Sequence, residues 1–364
     1  MRASTTKEKI LGGVLIAERL TGKKETLPTL SCILLEVSGK TIVLRATNLE
    51  AGVEVVVPGE VDEKGIIAVP AIVLSQTLRS THGDKVTLSA EDGNLLIESR
   101  GTKTVIKGMP HDEFPTLSPP TDGKGENVSR EQLLRGLQAV SYAASPSMIR
   151  PELGSIYLLV GATGVICVAT DSFRLAEKMI GSSERGEEVL LPLRHALELS
   201  HVLEHAEGAQ VKLTADESQL SVSADGVRFI SRIVDGTFPN YKEIVPKIFS
   251  TEATVLKSDL SEMLKKARVF SGNDQHIGFH VYPSRKIFSA TARSADIGEM
   301  SDSLDAALSG EDLDINFHIG YLADCLPTIE SDSIILGFSG AGKPLVIRGV
   351  SDPSFTYLVM PLNR

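Results

Sequence analysis

The chain has no tryptophan, and aromatic residues make up only 5% of its 364 positions. Any core must therefore rest on Leu, Ile, Val and Ala. Cysteine is as scarce: Cys32, Cys167 and Cys325 are odd in number, far apart and set in apolar runs such as GVICVAT, with no CxxC pair. That excludes a disulfide framework and a cysteine zinc site, and predicts buried, reduced thiols. No run of about 18 apolar residues occurs, and the opening MRASTTKEKI lacks the apolar stretch of a signal peptide. Neither a membrane span nor a leader is expected, and the location predicted is cytoplasmic. Basic residues are outnumbered, 37 against 47, for a net charge of −10. This argues against indiscriminate nucleic-acid binding over the whole surface, but a local basic stripe stays compatible with it.

The length predicts two or three domains, and 42% hydrophobic with 23% charged residues is ordinary for a globular protein. An internal repeat supplies the count. HDEFPTL centres on Phe114-Pro115 and DGTFPNY on Phe238-Pro239, and SDPSFTYL is a weaker third copy around Phe355. Each is preceded by a segment of helical spacing: VPAIVLSQTLRS, LPLRHALELSHVLEH and HIGYLADCLPTI. The repeats also open alike, on KEKILGGVLIAERL, SREQLLRGLQAVSYAA and KSDLSEMLKKARVF, with Ser129 and Ser258 as expected helix caps. Between the helices lie Val/Ile/Leu-rich runs punctuated by Asp92-Gly93 and Asp225-Gly226, the pattern of antiparallel hairpins. The unit is helix, strands, helix, strands, used three times. Its junctions fall in the polar stretches around 117–129 and 246–253, giving domains 1–120, 121–247 and 248–364.

The opening helices are basic within an acidic protein. Lys7, Lys9, Arg19, Lys23 and Lys24 face only Glu8 and Glu18, and Lys257, Lys265, Lys266 and Arg268 face Asp259 and Glu262. Such helices either solvate ordinary surface or line a positive wall suited to phosphates.

Three stretches resemble catalytic motifs. GFSGAGKP (337–344) fits the phosphate loop GxxxxGK but puts Pro344 where a Ser or Thr hydroxyl should stand, between two strand-like runs; a hairpin turn is the simpler reading. HVLEH (201–205) fits the inverted zinc-peptidase pattern and would set His201, Glu204 and His205 on one helix face, where solvated side chains are the simpler reading. In ATDSFRLAEKMI, Asp171, Ser172 and Arg174 lie together without a well-placed histidine, so no nucleophile is indicated. The chain ends on YLVMPLNR, an apolar run reaching almost to the carboxylate, where termini usually turn polar. Either that end is a strand locked into a sheet, or its side chains are displayed for a partner.

ATDSFRLA (169–176) resembles the ATD-[GS]-x-RLA segment of the bacterial DNA sliding clamps, the beta subunits of DNA polymerase III. ETLPTLSCILLE, ATNLEAGVEV, FPNYKEIVPK (238–247) and YLVMPLNR resemble further segments of that family, in the same order and across the whole chain. The resemblance implies an α+β DNA-clamp fold: three similar domains, each with two helices packed on antiparallel sheets, and a head-to-tail homodimer closing a six-domain ring. It implies a non-enzymatic processivity factor without cofactor or metal, encircling duplex DNA irrespective of sequence. Its partners would be the replicative polymerase, the clamp loader and repair polymerases, held through short peptide motifs.

By the same resemblance, the peptide pocket falls on Leu153, Thr170, Ser172, Phe173, Arg174, Leu175, Pro239, Ile244, Pro344, Leu358, Met360, Pro361 and Leu362. Lys24, Arg150 and Arg194 match DNA-facing positions, and helix charge adds Arg79, Arg135, Lys265 and Lys266. Lys103 and Ile106 match one face of the dimer contact, Val269 and Phe270 the other. His318 stands where the family commonly has Asn. The readings set against the clamp are a zinc peptidase built on HVLEH and a monomeric scaffold that keeps the same peptide pocket.

Overall fold

The computed structural model describes residues 1–22, 27–115, 118–120, 125–161, 164–181 and 186–362. Six helices are present among them: α1 (Lys7–Arg19), α2 (Ala71–Ser80), α3 (Arg130–Ser141), α4 (Leu193–His205), α5 (Lys257–Phe270) and α6 (Ile319–Cys325). Each begins on the residue immediately after a strand, so strand-to-helix corners without a loop recur at Thr6, Pro70, Ser129, Pro192, Leu256 and His318. The chain divides into two compact units, Met1–Leu134 with Arg194–Asp235, and Arg135–Leu193 with Gly236–Arg364.

The first unit holds two antiparallel sheets. One runs, in spatial order, Glu60–Glu63, Arg2–Thr6, Lys85–Glu91, Asn94–Ser99, Thr102–Lys107. The other runs Glu126–Ser129, Glu207–Ala215, Gln219–Asp225, Val227–Arg232, Ala51–Pro58, Thr41–Thr47, Cys32–Ser38, Gly65–Pro70. The second sheet joins strands of the first repeat to strands of the second, Val227 standing opposite Val55 and Ser231 opposite Ala51. A compact unit can therefore cut across a sequence repeat, because pairing through backbone hydrogen bonds is indifferent to which repeat supplies the edge.

The second unit repeats the plan. A nine-stranded sheet runs Glu187–Pro192, Ser155–Gly161, Gly164–Thr170, Arg174–Gly181, Phe355–Val359, Leu345–Gly349, Ser333–Phe338, Thr251–Leu256, Ala306–Gly310. A four-stranded sheet runs Gly298–Leu304, Ile287–Ser294, His276–Tyr282, Leu313–His318. Its core takes the scarce aromatics: Phe279 packs at 5.3 Å from Phe288 and 5.8 Å from Phe317, and Phe338, Phe355 and Tyr357 are buried with them. All three cysteines are buried and free, as the sequence predicts.

Each repeat closes its helix pair with one device. The first residue of the leading helix is a cation whose side chain donates to carbonyls at the far end of the second helix or, in the third repeat, just beyond it. Lys7 Nζ reaches Thr81 O at 2.6 Å, Arg130 reaches Leu203 O, and Lys257 Nζ reaches Ile329 O at 2.7 Å. A cation there satisfies orphan carbonyls and complements the helix dipole. Ser129 accepts from the Gln132 amide at 3.4 Å, as its capping role requires. Ser258 does not cap: α5 starts at Lys257, and the Ser258 hydroxyl turns to Asp259. At Asp92-Gly93 both residues have positive φ, 51° and 75°, the backbone of the tightest hairpin turn. In GFSGAGKP the first two residues end the strand Ser333–Phe338, and 339–344 form the turn to Leu345–Gly349.

Candidate functional site

The C-terminal strand is anchored on both sides. Phe355–Val359 lies between Arg174–Gly181 and Leu345–Gly349, and the register sets Arg174 opposite Val359 and Val359 opposite Leu345. Three chain segments thereby finish at one end of one sheet: the turn 170–175, the terminus from Leu358, and the turn ending at Pro344. Beyond the strand the terminus stays tied down, for Met360 N donates to Phe173 O and Leu362 N to Asn316 O, both at 2.8 Å. Leu358 and Leu175 are buried, whereas Met360, Pro361 and Leu362 are half-buried and Phe173 is 60% exposed. Apolar side chains thus face solvent although their backbone is fixed.

The 170–175 turn is held by its own polar groups. Thr170 Oγ1 donates to Arg174 O at 2.6 Å, and Asp171 Oδ1 accepts from the Phe173 and Arg174 amides at 2.9 and 3.0 Å. Ser172 at the tip has φ +79°, a left-handed conformation that a non-glycine residue adopts only when its surroundings impose it. Arg174 is the node. Its guanidinium donates to Asp171 Oδ2 at 2.9 Å and Asp324 Oδ2 at 2.6 Å, and lies 4.4 Å over the Tyr321 ring. Burial disfavours the charge, but Asp324 and Asp171 outweigh it and the guanidinium is held firmly protonated. Tyr357 donates its hydroxyl to Tyr321 O at 2.8 Å, which links α6 to the C-terminal strand. His318 caps α6 by accepting from Tyr321 N at 3.4 Å; burial, with Arg174 and Arg268 nearby, lowers its pKa and favours the neutral ring that the cap needs.

The remaining predicted pocket residues belong to the same unit. Phe238 stacks on Tyr157 at 5.1 Å, and Tyr241 donates its amide to Pro239 O and its hydroxyl to Glu177 Oε2, which pins 238–243 while Ile244 stays 55% exposed. Leu153 is buried beneath the 145–153 loop, where Ser145 N donates to its carbonyl at 2.9 Å. Tyr142, Tyr321 and Asp324, which surround Arg174, escaped sequence reasoning because they come from other elements and carry no local motif.

Of the charges assigned to DNA, Arg79 and Arg194 are exposed on α2 and α4, and Lys265 is exposed on α5. Arg135 pairs with Glu330 at 3.4 Å and Arg150 with Glu152 at 3.0 Å. Lys266 is turned instead toward the Gly298–Leu304 strand, where it pairs with Asp302 at 3.0 Å, so its charge is spent on the sheet edge. Lys24 lies outside the described residues. Both smaller sheets end on open edges, Thr102–Lys107 in the first unit and Gly298–Leu304 in the second. Lys103 is exposed on the former, but Ile106 is only 3% exposed and points into the core; strand alternation puts Val105, 60% exposed, on the outside. Val269 is 60% exposed at the end of α5, and Phe270 is half-buried.

A cavity of 570 Å³ lies elsewhere in the second unit, in the groove between α5 and α6, lined by buried Leu264, Ile319 and Leu326 and by exposed Leu256, Lys265 and Arg268. On α4, donor atoms of His201, Glu204 and His205 lie within 4.8 Å of one another.

The sequence matches three family models in succession: the DNA polymerase III beta subunit N-terminal domain over 1–118, its central domain over 127–240 and its C-terminal domain over 242–363. It is 25% identical to the beta sliding clamp of Pseudomonas aeruginosa over the full length of both chains, and 24% identical to that of Staphylococcus aureus over 93% of each. The crystal structure of the Thermotoga maritima DNA polymerase III beta subunit superposes with a TM-score of 0.94 at 28% identity, covering 100% of this chain and 99% of that one. No helix among the described residues is long and apolar enough to cross a membrane. The chain belongs to the DNA polymerase III beta subunit family, the bacterial DNA sliding clamps, and is a non-enzymatic processivity factor of DNA replication, which retires the peptidase reading of HVLEH.

Proposed function

We propose that this clamp is a head-to-tail homodimer of three-domain chains, with domains 1–120, 121–247 and 248–364, closing a six-domain ring around duplex DNA. Its tether for the replicative polymerase, the clamp loader and repair polymerases is the site at the end of the nine-stranded sheet. The observation that carries this reading is the C-terminal segment, whose backbone is fixed at Met360 and Leu362 while its side chains stay half-open beside exposed Phe173 and Ile244. A preordered apolar surface of Met, Leu and Phe accepts short motifs from several partners with little ordering of the protein itself. Two or three buried apolar side chains contribute about 1.5–3 kcal/mol each before ordering costs, which suits exchangeable partners.

Ring closure is supported by two of the four edge strands of the smaller sheets. Thr102–Lys107 carries Lys103 and Lys107 around Val105, and Gly298–Leu304 carries Glu299 together with Asp302, the latter already paired with Lys266. A basic edge on one protomer and an acidic edge on its partner favour pairing of unlike edges over like ones, the requirement of a head-to-tail contact. Val269 adds apolar surface to the acidic side. Arg79, Arg150, Arg194 and Lys265 then serve as salt-sensitive phosphate contacts that leave the duplex free to slide.

Fluorescence anisotropy tests the pocket. A short peptide with Gln, Leu and Phe should bind the intact protein saturably and lose binding when residues 360–364 are removed. Unchanged affinity after the deletion would overturn the assignment. The rival monomeric scaffold predicts a solution mass of 39.0 kDa, the mass of one chain, where the ring predicts twice that.

A further inference from the structure

The cluster on α4 is left unexplained by the clamp reading. His201, Glu204 and His205 sit at i, i+3 and i+4, so they share one face of the helix just before it ends. The two imidazole rings are 4.3 Å apart between centroids. The His205 ring is already oriented, with Nδ1 2.9 Å from the His201 carbonyl; a carbonyl can only accept, so Nδ1 carries the proton and Nε2 is left as a lone-pair donor. This is the arrangement by which metal-ligating histidines are commonly held, the second ring nitrogen tied to a backbone carbonyl. His201 supplies the other sign of a site. Its Nε2 is buried and has no hydrogen-bond partner among the described residues, an unfavourable state for a polar nitrogen that a turn of the ring toward a surface ion relieves.

The electrostatics agree. Arg19 is the one cation of α1 that faces this cluster, and it is neutralised by Glu198 at 2.7 Å. Donor atoms around a tetrahedral zinc stand about 3.3 Å apart, so side chains within 4.8 Å close on an ion by rotamer adjustment of half-buried His201 and exposed Glu204 and His205. Two imidazoles and one carboxylate select a borderline transition cation over magnesium or calcium, which prefer oxygen.

We propose that His201, Glu204 and His205 form a surface site for one divalent transition cation of the zinc class per chain, with water completing its coordination. The site is a clip across the last turn of α4 and not a catalytic centre. The three cysteines, being buried, do not compete for the ion.

The test is a titration of metal-free full-length protein with Zn²⁺ against a chromophoric chelator, repeated in excess Mg²⁺. One equivalent per chain is expected, unaffected by Mg²⁺. His205→Gln, at an exposed position, should weaken binding at least about tenfold while leaving the circular-dichroism spectrum unchanged, and Glu204→Gln should weaken it less. Thermal midpoint should rise with Zn²⁺ for the wild type and not for His205→Gln, since a ligand bound only to the folded state stabilises by mass action. Absence of zinc retention at micromolar protein, displacement by Mg²⁺, or unchanged affinity in His205→Gln would each overturn the proposal.

Discussion

The amide of Met360 donates to the carbonyl of Phe173 at 2.8 Å, carrying the ladder between the C-terminal strand and its neighbour one residue beyond Val359. Backbone order therefore extends further toward the chain end than the side-chain core does. Phe173→Ala should separate the two: with 60% of the residue exposed, its removal leaves the unfolding free energy within about 0.5 kcal/mol of wild type. Peptide affinity should fall by about 1–2 kcal/mol, roughly a factor of ten, read from the same anisotropy titration.

The lysine at the start of α5 should matter more than its surface position suggests. Lys257→Met keeps the aliphatic stem but strands Ile329 O, with an expected cost of about 1–2 kcal/mol in urea unfolding. Lys7→Met should behave alike, since Lys7 plays the same part for the end of α2.

Val105 and Ile106 give opposite outcomes from adjacent positions. Val105→Asp should lower the solution mass from two chains to one with the fold kept, as seen by light scattering and circular dichroism. Ile106→Ala should instead destabilise the fold by about 2–4 kcal/mol, because it opens a cavity behind the strand.

Gly136 lies inside α3, where alanine is ordinarily worth about 1 kcal/mol more than glycine. Here an added Cβ would stand 2.4 Å from Ile180 Cδ1 and 3.0 Å from the buried Cys167 Sγ. Gly136→Ala should therefore destabilise, with overpacking of about 1–3 kcal/mol exceeding the propensity gain, as denaturant unfolding would report.

His318 predicts a pH dependence of definite sign. Burial and the nearby Arg174 and Arg268 hold its folded-state pKa below the ordinary 6.5, so the folded protein binds fewer protons there than the unfolded chain. The contribution is complete above pH 6.5 and is lost as pH falls through the depressed pKa. His318→Asn preserves a capping acceptor without titrating, so its unfolding free energy should fall less than the wild type's between pH 7 and pH 5.

Much of this fold was legible because helical spacing and hairpin punctuation are local. All six helices fall on segments whose apolar period is 3.6, and Asp92-Gly93 specifies its turn by itself. What escaped was non-local. Lys103 and Ile106 cannot face the same way on a strand of period two, so TKTVIK itself held the signal that Val105, and not Ile106, is outward. No spacing could pair Lys266 with Asp302, or gather Tyr321 and Asp324 around Arg174, since these meet only through sheet register and helix docking. Nor did the α5–α6 groove announce itself, because it depends on how far two helices stand apart.

Topological retention tests the central claim most directly. The protein would be loaded by a bacterial clamp loader with ATP onto nicked circular duplex DNA, which is then cut once with a restriction enzyme. A closed ring that holds DNA by encircling it should stay on the circle through gel filtration at high salt and run off after linearisation. Equal retention on the circle and the linear form would contradict the encircling ring.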